Sequence, residues 1–398
     1  MRSTLPILLF EIRYHLRRST FWLIAGLFFT LGLVDIVSKA NEGNAFFYVN
    51  SPSQIFQTTI WYTIFGILAA SAFVAETFVR DTNTRMESLI LATPVRKWDY
   101  LATRFAAAFG VTLLAFSTYT VGMVLGTLGP GLNPFALGAF RPDAYLAAYG
   151  LIAVPNLLVV SAIAFAIAAR THSLAITYAG AIILVMLYLA SLMMVGADVI
   201  NYQQYNLWAM LDPFGFYAFE AKTLTWTVFQ HNTQMPGLGG TLIWNRLLWL
   251  AIAAAIWAIS YQTYRMTAHA EQGKQKARPA RSTDAPIRYI PLPSTPPQPG
   301  LRGQMQQWLI RTGFEIRTVL QGKAFWLLTA FGLLSLVMAA VGSRSFNYSN
   351  PSTDILIHSA NVYLDYILFA IVVVYAAELV WRDLTLRLQP VIDATPVT

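Results

Sequence analysis

Long runs without a charged residue are the feature that most limits what this chain can fold into. Each of the longest could hold the roughly 20 apolar residues that a helix needs to cross the hydrocarbon layer of a membrane. Soluble globular chains carry about 25% charged residues, whereas this chain carries 12% in 398 residues, which argues against an ordinary soluble enzyme and favours a polytopic membrane protein. The longest uncharged runs are Gly43–Ala75, Phe105–Phe140, Ala144–Ala169, Thr171–Ala197, Leu247–Tyr264 and Ala324–Ser343.

One shorter uncharged run extends from Ser19 to Val34, and another extends from Tyr366 to Ala377. The sequence therefore predicts an all-α fold, a polytopic transmembrane helical bundle of about eight spans. The predicted spans are 19–38, 57–79, 103–127, 145–169, 173–196, 243–264, 324–342 and 360–380.

The positions of the basic residues predict how the chain is oriented. With the N-terminus inside, all of the 27 Lys and Arg residues lie on the inner side except Lys39, Arg141, Lys222, Arg246 and Arg344. Positive charge accumulates on the cytoplasmic side of membrane proteins, which predicts a cytoplasmic N-terminus and a multi-pass protein of the inner (cytoplasmic) membrane. Membrane orientation also accounts for the net charge of +8, so we expect no nucleic-acid partner.

The N-terminal segment is predicted to be an interfacial helix rather than a signal peptide. Leu5, Leu9 and Ile12 recur at helical spacing, and the nearby arginines Arg13 and Arg17 can reach lipid phosphates.

Residues 269–302 are rich in proline and lack an apolar period, which predicts an unfolded cytoplasmic linker. The segment after the linker repeats the beginning of the chain. Phe-Glu-Ile-Arg at 10–13 recurs at 314–317, and Ala-Thr-Pro-Val at 92–95 recurs at 394–397. This order indicates a tandem duplication, with a first six-span unit at 1–268 and a second unit at 303–398. Because the second unit stops after two spans, we expect the native chain to be longer.

The second and third predicted spans are joined by a short charged connector. Glu76 and Arg80 have the spacing of an ion pair on one helical face, and Glu378 with Arg382 repeats it. A helix-end ion pair is the simpler interpretation of both acids. From Asp81 onward, Met86, Leu89, Ile90 and Leu91 predict one amphipathic helix, which Thr93-Pro94 ends.

An N-terminal interfacial helix, six spans and this connector resemble the membrane subunit of type-2 ABC exporters. The connector reads Arg80-Asp81-Thr82-Asn83-Thr84-Arg85-Met86-Glu87, followed by Leu89-Ile90-Leu91-Ala92-Thr93-Pro94-Val95. In that family this segment is the coupling helix, which docks on the ATPase subunit. The segments Leu211–Gly215 and Asn245–Trp249 are also similar to large tandem bacterial permeases, some of which end in a gluzincin aminopeptidase-like domain.

The resemblance implies that both connectors contact a separate ABC ATPase. The residues to which it assigns this coupling are Arg80, Asp81, Arg85, Glu87, Thr93, Pro94, Arg382, Asp383, Arg387 and Pro396. One departure is that Arg85-Met86 stands where many relatives have Gly-Thr.

The chain has no phosphate-binding loop and no His-Glu-x-x-His motif. We therefore expect it not to be an enzyme and to hold no cofactor or metal, with ATP and magnesium on the partner ATPase. Its expected partners are that ATPase, the lipid bilayer and a second permease unit.

Two alternatives stay open: the membrane anchor of a larger fused metallopeptidase, and an ion-coupled carrier that uses Asp35 or Asp365. The aromatic segment Asp198–Thr241 is expected to form short helices that cap the outer exit.

Overall fold

The computed structural model describes residues 4–42, 46–84, 95–198, 202–237, 239–264 and 301–322, with ten single positions besides. Those ten are Met86, Ile90, Ala92, Thr93, Phe325, Trp326, Thr329, Leu333, Val372 and Tyr375. Within these residues the protein is all-helical, at 83% helix and without a strand.

Twelve α-helices lie within the described residues. They are α1 (Thr4–Leu16), α2 (Ser19–Glu42), α3 (Pro52–Asn83), α4 (Lys97–Gly126), α5 (Pro142–Ala148), α6 (Val154–Thr171), α7 (Leu174–Asp198), α8 (Tyr202–Leu211), α9 (Phe216–Thr223), α10 (Val228–Thr233), α11 (Thr241–Thr263) and α12 (Leu301–Gln321). A π-helical turn, Tyr149–Ala153, joins α5 to α6 just before Pro155, whose missing N–H interrupts the regular hydrogen bonding.

Five helical stretches are long and apolar enough to cross a membrane, as in a multi-pass membrane protein. They are Ser19–Asn41, Pro52–Asp81, Lys97–Gly126, Pro142–Thr171 and Thr241–Thr263. They overlap predicted spans one to four and six. The fifth predicted span lies in α7, which contains the shorter apolar stretch Ile176–Leu189. Most of the linker and of the last two predicted spans lies outside the described residues.

Among the described helices, α2 and α4 make the most extensive contact, and two glycines make it possible. A Cβ atom added at Gly32 would overlap the carbonyl oxygen of Tyr119, and one added at Gly122 would overlap that of Phe29. The two helices therefore touch backbone to backbone. Close approach through small residues is the usual way in which membrane helices pack, since lipid provides no hydrophobic drive between them.

Two contacts near the start of α2 recur in the second copy of the repeat. The indole N–H of Trp22 donates to the Leu16 carbonyl over 3.0 Å, and that of Trp326 donates to the Leu320 carbonyl over 2.7 Å. The rings of Phe21 and Phe73 lie 6.2 Å apart, as do those of Phe325 and Tyr375. Residues at corresponding places in the two copies thus make corresponding contacts.

The bundle has two distinguishable ends. The connector end is where α3 finishes, α4 begins and α1 lies. The far end carries the short helices α8, α9 and α10, which occupy the segment expected to form short helices.

A buried polar cluster holds this far end together. Asp212 accepts hydrogen bonds from the backbone N–H groups of Phe214 and Tyr217, and Arg246 at the start of α11 donates to Asn156 in α6.

Candidate coupling site at the connector end

A buried acid fastens α1 to the two spans that flank the connector. Glu11 is 2% exposed and faces the bundle. Its Oε1 accepts a hydrogen bond of 2.6 Å from Nη2 of Arg80 in the last turns of α3. The same oxygen lies 3.0 Å from Nε of Arg104 in α4. One carboxylate therefore contacts an arginine on each side of the connector.

A second ion pair joins α3 directly to α4. Arg104, which is 2% exposed, donates through Nη2 to Oδ1 of Asp81 over 3.2 Å and through Nη1 to Oδ2. The Tyr100 hydroxyl donates to the same Asp81 Oδ2 over 2.7 Å. Asp81 thus has three hydrogen bonds from α4, and the two helices are held side by side where the connector leaves and re-enters the bundle.

Glu11, Asp81, Arg80 and Arg104 together carry two negative and two positive charges. An isolated charge loses several kcal/mol when it is removed from water, whereas charges with close partners recover much of that loss. The neutral sum allows four ionisable side chains to be buried between apolar helices. We call these four side chains the four-charge cluster.

A second contact of α1 lies one helical turn further on, at His15. His15 is 1% exposed, and its Nε2 lies 2.8 Å from Oγ1 of Thr77. The Thr77 hydroxyl already donates to the Phe73 carbonyl over 2.7 Å, so it can only accept from His15. The ring is therefore protonated at Nε2. Burial lowers the pKa of His15 from 6.5 to about 4, against the opposing effect of Glu76, so the ring is neutral near pH 7.

Glu76 is at the edge of this contact and lies near three side chains of α1 and the turn after it. Its Oε1 accepts from the Tyr14 hydroxyl over 3.2 Å and lies 3.6 Å from Nη1 of Arg18. Its Oε2 lies 3.8 Å from Nδ1 of His15. The guanidinium of Arg80 stacks over the Tyr14 ring, 4.2 Å from its centroid.

These contacts correct the prediction that Glu76 pairs with Arg80. Both residues instead turn toward α1, where Glu76 meets Arg18 and Arg80 meets Glu11. The physical reason is that α1 supplies partners of opposite charge, which a pattern confined to α3 cannot reveal. Asp81 is therefore buried, and the Arg80 side chain is 13% exposed.

The other predicted coupling residues divide between described and undescribed positions. Thr93 is exposed and its hydroxyl donates to the Ile90 carbonyl. The backbone N–H of Ile90 donates to the Met86 carbonyl over 3.0 Å, a bond of helical spacing. The predicted residues that lie outside the described positions are Arg85, Glu87, Pro94, Glu378, Arg382, Asp383, Arg387 and Pro396.

Sequence reasoning missed Glu11, His15, Tyr100 and Arg104 as members of the site. Glu11 did carry a signal, because it belongs to the repeated Phe-Glu-Ile-Arg motif and stands among apolar residues. The sequence distinguishes Arg104 only as one of the basic residues on the predicted inner side. In the part of the chain that the structure describes, no group of three or more His, Asp or Glu side chains could hold a metal ion.

The chain was compared with protein-family models and with curated protein sequences, and it matches none of them.

Proposed function

We propose that the chain is the membrane-spanning permease of an ATP-driven ABC exporter, coupled to a separate ATPase through the connector between α3 and α4. The observation that carries the proposal is the set of bonds between Asp81 and Arg104, which clamps the two helices at both ends of the connector. The resemblance of the connector to a coupling helix supports the same role.

The clamp favours transmission of a force. If the two helices moved independently, a force on the connector would change the shape of the connector without moving the helices. Because Asp81 bonds to Arg104 and Tyr100, displacement of residues 84–96 moves α3 and α4 together. Glu11 adds α1 to the same body through Arg80 and Arg104.

In the proposed cycle, ATP binding draws the ATPase subunits together and pushes the connectors. The attached helices tilt and the translocation path opens to the far end, an alternating-access change whose equilibrium the nucleotide shifts. The connector end is then the cytoplasmic side of the inner membrane, as the distribution of Lys and Arg predicts. The second half of the path comes from a second permease unit.

The direct test uses Glu87, which the resemblance places on the docking surface. The chain is expressed with an ABC ATPase encoded in a neighbouring reading frame, and both co-purification and ATPase activity are measured. We expect Glu87→Arg to weaken both, with the permease still folded by its thermal midpoint. Asp143→Arg, a charge change at an exposed acid of the far end, is the matched control.

Unchanged association and ATPase stimulation in Glu87→Arg would contradict the coupling role. If no ATPase associates with the unaltered chain, and the reading frame continues into a His-Glu-x-x-His motif, the membrane-anchor alternative replaces the permease.

A further inference from the structure

A groove runs along the outer face of α1, opposite the buried Glu11 and His15. Its lining includes the apolar side chains of Leu5, Leu9 and Phe10 and the guanidinium groups of Arg13, Arg17 and Arg18. The three apolar side chains are exposed to 60%, 43% and 58%. The groove thus combines an apolar surface with three positively charged side chains.

The three arginines of this groove have fewer carboxylates than guanidinium groups near them in the part of the chain that the structure describes. Arg13 and Arg17 make no side-chain hydrogen bond or ion pair with any other residue that the structure describes. Arg18 lies 3.6 Å from Glu76, which it shares with Tyr14. Among the residues that the structure describes, these three cations therefore share one carboxylate, that of Glu76. Guanidinium groups bind phosphate oxygens well, because their forked N–H groups match the phosphate geometry.

The place of α1 in the fold says which phosphate can reach them. α1 ends at Leu16, and the membrane-spanning stretch of α2 begins three residues later at Ser19. Trp22, which is 65% exposed, joins the start of α2 to the end of α1 through its hydrogen bond to the Leu16 carbonyl. Exposed tryptophans at a span end lie at the level of the lipid headgroups. The groove therefore lies where headgroups meet acyl chains.

We propose that this groove binds one anionic phospholipid. Its phosphodiester is held by Arg13, Arg17 and Arg18, and the start of its acyl chain lies along Leu5, Leu9 and Phe10. A net negative headgroup is favoured over a zwitterionic one, because a zwitterionic lipid brings its own cation to a site that already has three. The site does not depend on an ATPase partner and can hold even if the proposed permease function fails.

Arg18 gives the bound lipid a connection to the rest of the connector end. Its guanidinium contacts the Tyr14 hydroxyl and lies 4.7 Å from the Tyr14 ring centroid, while Tyr14 bonds to Glu76 of α3. A phosphate on Arg18 holds that side chain in place beside Glu76. Lipid binding should therefore strengthen the attachment of α1 to α3.

The test is native mass spectrometry of the purified chain titrated with phosphatidylglycerol or with phosphatidylcholine. We expect one tightly bound phosphatidylglycerol and no comparable site for phosphatidylcholine. Arg13→Gln/Arg17→Gln should weaken that binding about 30-fold, since each basic residue near an anionic lipid surface contributes on the order of 1 kcal/mol. The matched control is Arg96→Gln/Arg170→Gln, which removes the same charge from the connector end outside the groove.

All four side chains are exposed, and the thermal midpoint of each variant without added lipid is measured beside its lipid binding, because Arg170 also donates to Ser260 over 3.3 Å. Equal binding of the two lipids would show that the groove does not select an anionic headgroup, and an equal loss in the control variant would show a general attraction to charge. Either result would overturn the proposal. Inorganic phosphate provides the remaining arm. If it competes with phosphatidylglycerol at comparable concentration, the groove is an ion site and the lipid assignment is wrong.

Discussion

Glu11 and Arg104 form a buried ion pair in which Oε1 and Nε are 3.0 Å apart, although one residue lies in α1 and the other in α4. The pair makes the N-terminal helix part of the bundle rather than a loose segment on its surface. Because Glu11 also accepts from Arg80, it is the one carboxylate of the four-charge cluster that contacts both α3 and α4 from α1.

Glu11→Gln should therefore destabilise the protein strongly. The substitution keeps the size of the side chain but leaves Arg80 and Arg104 with only Asp81 as a counter-charge. Removing one partner of a buried ion pair typically costs about 3–5 kcal/mol. The measurement is the thermal midpoint of the detergent-solubilised chain, with Asp143→Asn at the exposed far end as the control, expected to cost less than about 1 kcal/mol.

The double variant Glu11→Gln/Arg80→Gln sharpens this expectation. If the two side chains stabilise each other, their combined loss is smaller than the sum of the single losses. Strict additivity would show that the contact contributes nothing by itself.

His15 should make stability depend on pH. In the unfolded chain a histidine binds a proton near pH 6.5, whereas folded His15 stays neutral down to about 4. Protonation therefore favours the unfolded chain, and the contribution of His15 is complete above pH 6.5 and lost as the pH falls toward 4. The full shift corresponds to about 3 kcal/mol.

The check is the fall in thermal midpoint between about pH 7 and about pH 5. It should be smaller in His15→Gln, whose amide can still donate to Thr77 but does not titrate. His269→Gln, in the predicted linker, should keep the pH dependence of the unaltered chain. An identical fall in His15→Gln would mean that other groups cause it.

Gly122→Ala should push α2 and α4 apart. The added methyl group would overlap the Phe29 carbonyl, which is backbone and cannot turn away. Overpacking of this kind costs about 1–3 kcal/mol. Gly110→Ala in the same helix is the control, because nothing lies within 4 Å of its added methyl. That control should be neutral or slightly stabilising, since alanine favours helix. Equal thermal midpoints for the two variants would contradict the proposed backbone contact.

Gly215→Ala should open the far end. Gly215 precedes α9 at a φ of 80°, and a Cβ atom there would overlap the Arg246 guanidinium. Gly131 has a φ of 77° but open space around it, so Gly131→Ala measures backbone strain alone, at about 1–2 kcal/mol. A larger loss of thermal midpoint in Gly215→Ala gives the additional cost of displacing Arg246. A loss no greater than in Gly131→Ala would show that the guanidinium moves freely.

The long helices were predictable because a membrane span is a local property. About 20 apolar residues suffice whatever their neighbours are, so the uncharged runs located the helices α2, α3, α4, α6 and α11. The residues at which the helices begin and end were less predictable. α3 runs from Pro52 to Asn83, past both limits of the predicted span, and so takes Asp81 out of the connector and into the bundle.

The partners of the charged residues depended on contacts between distant segments. By itself the sequence determined the all-helical class, the places of the long apolar helices and the presence of a charged connector, since these follow from composition and short-range period. Only the tertiary structure decided that Arg80 bonds to Glu11 rather than Glu76, and that Arg104 forms an ion pair with Asp81. The reason is that a buried charge takes the nearest opposite charge in space, and nearness in space is set by helix packing rather than by spacing along one helix.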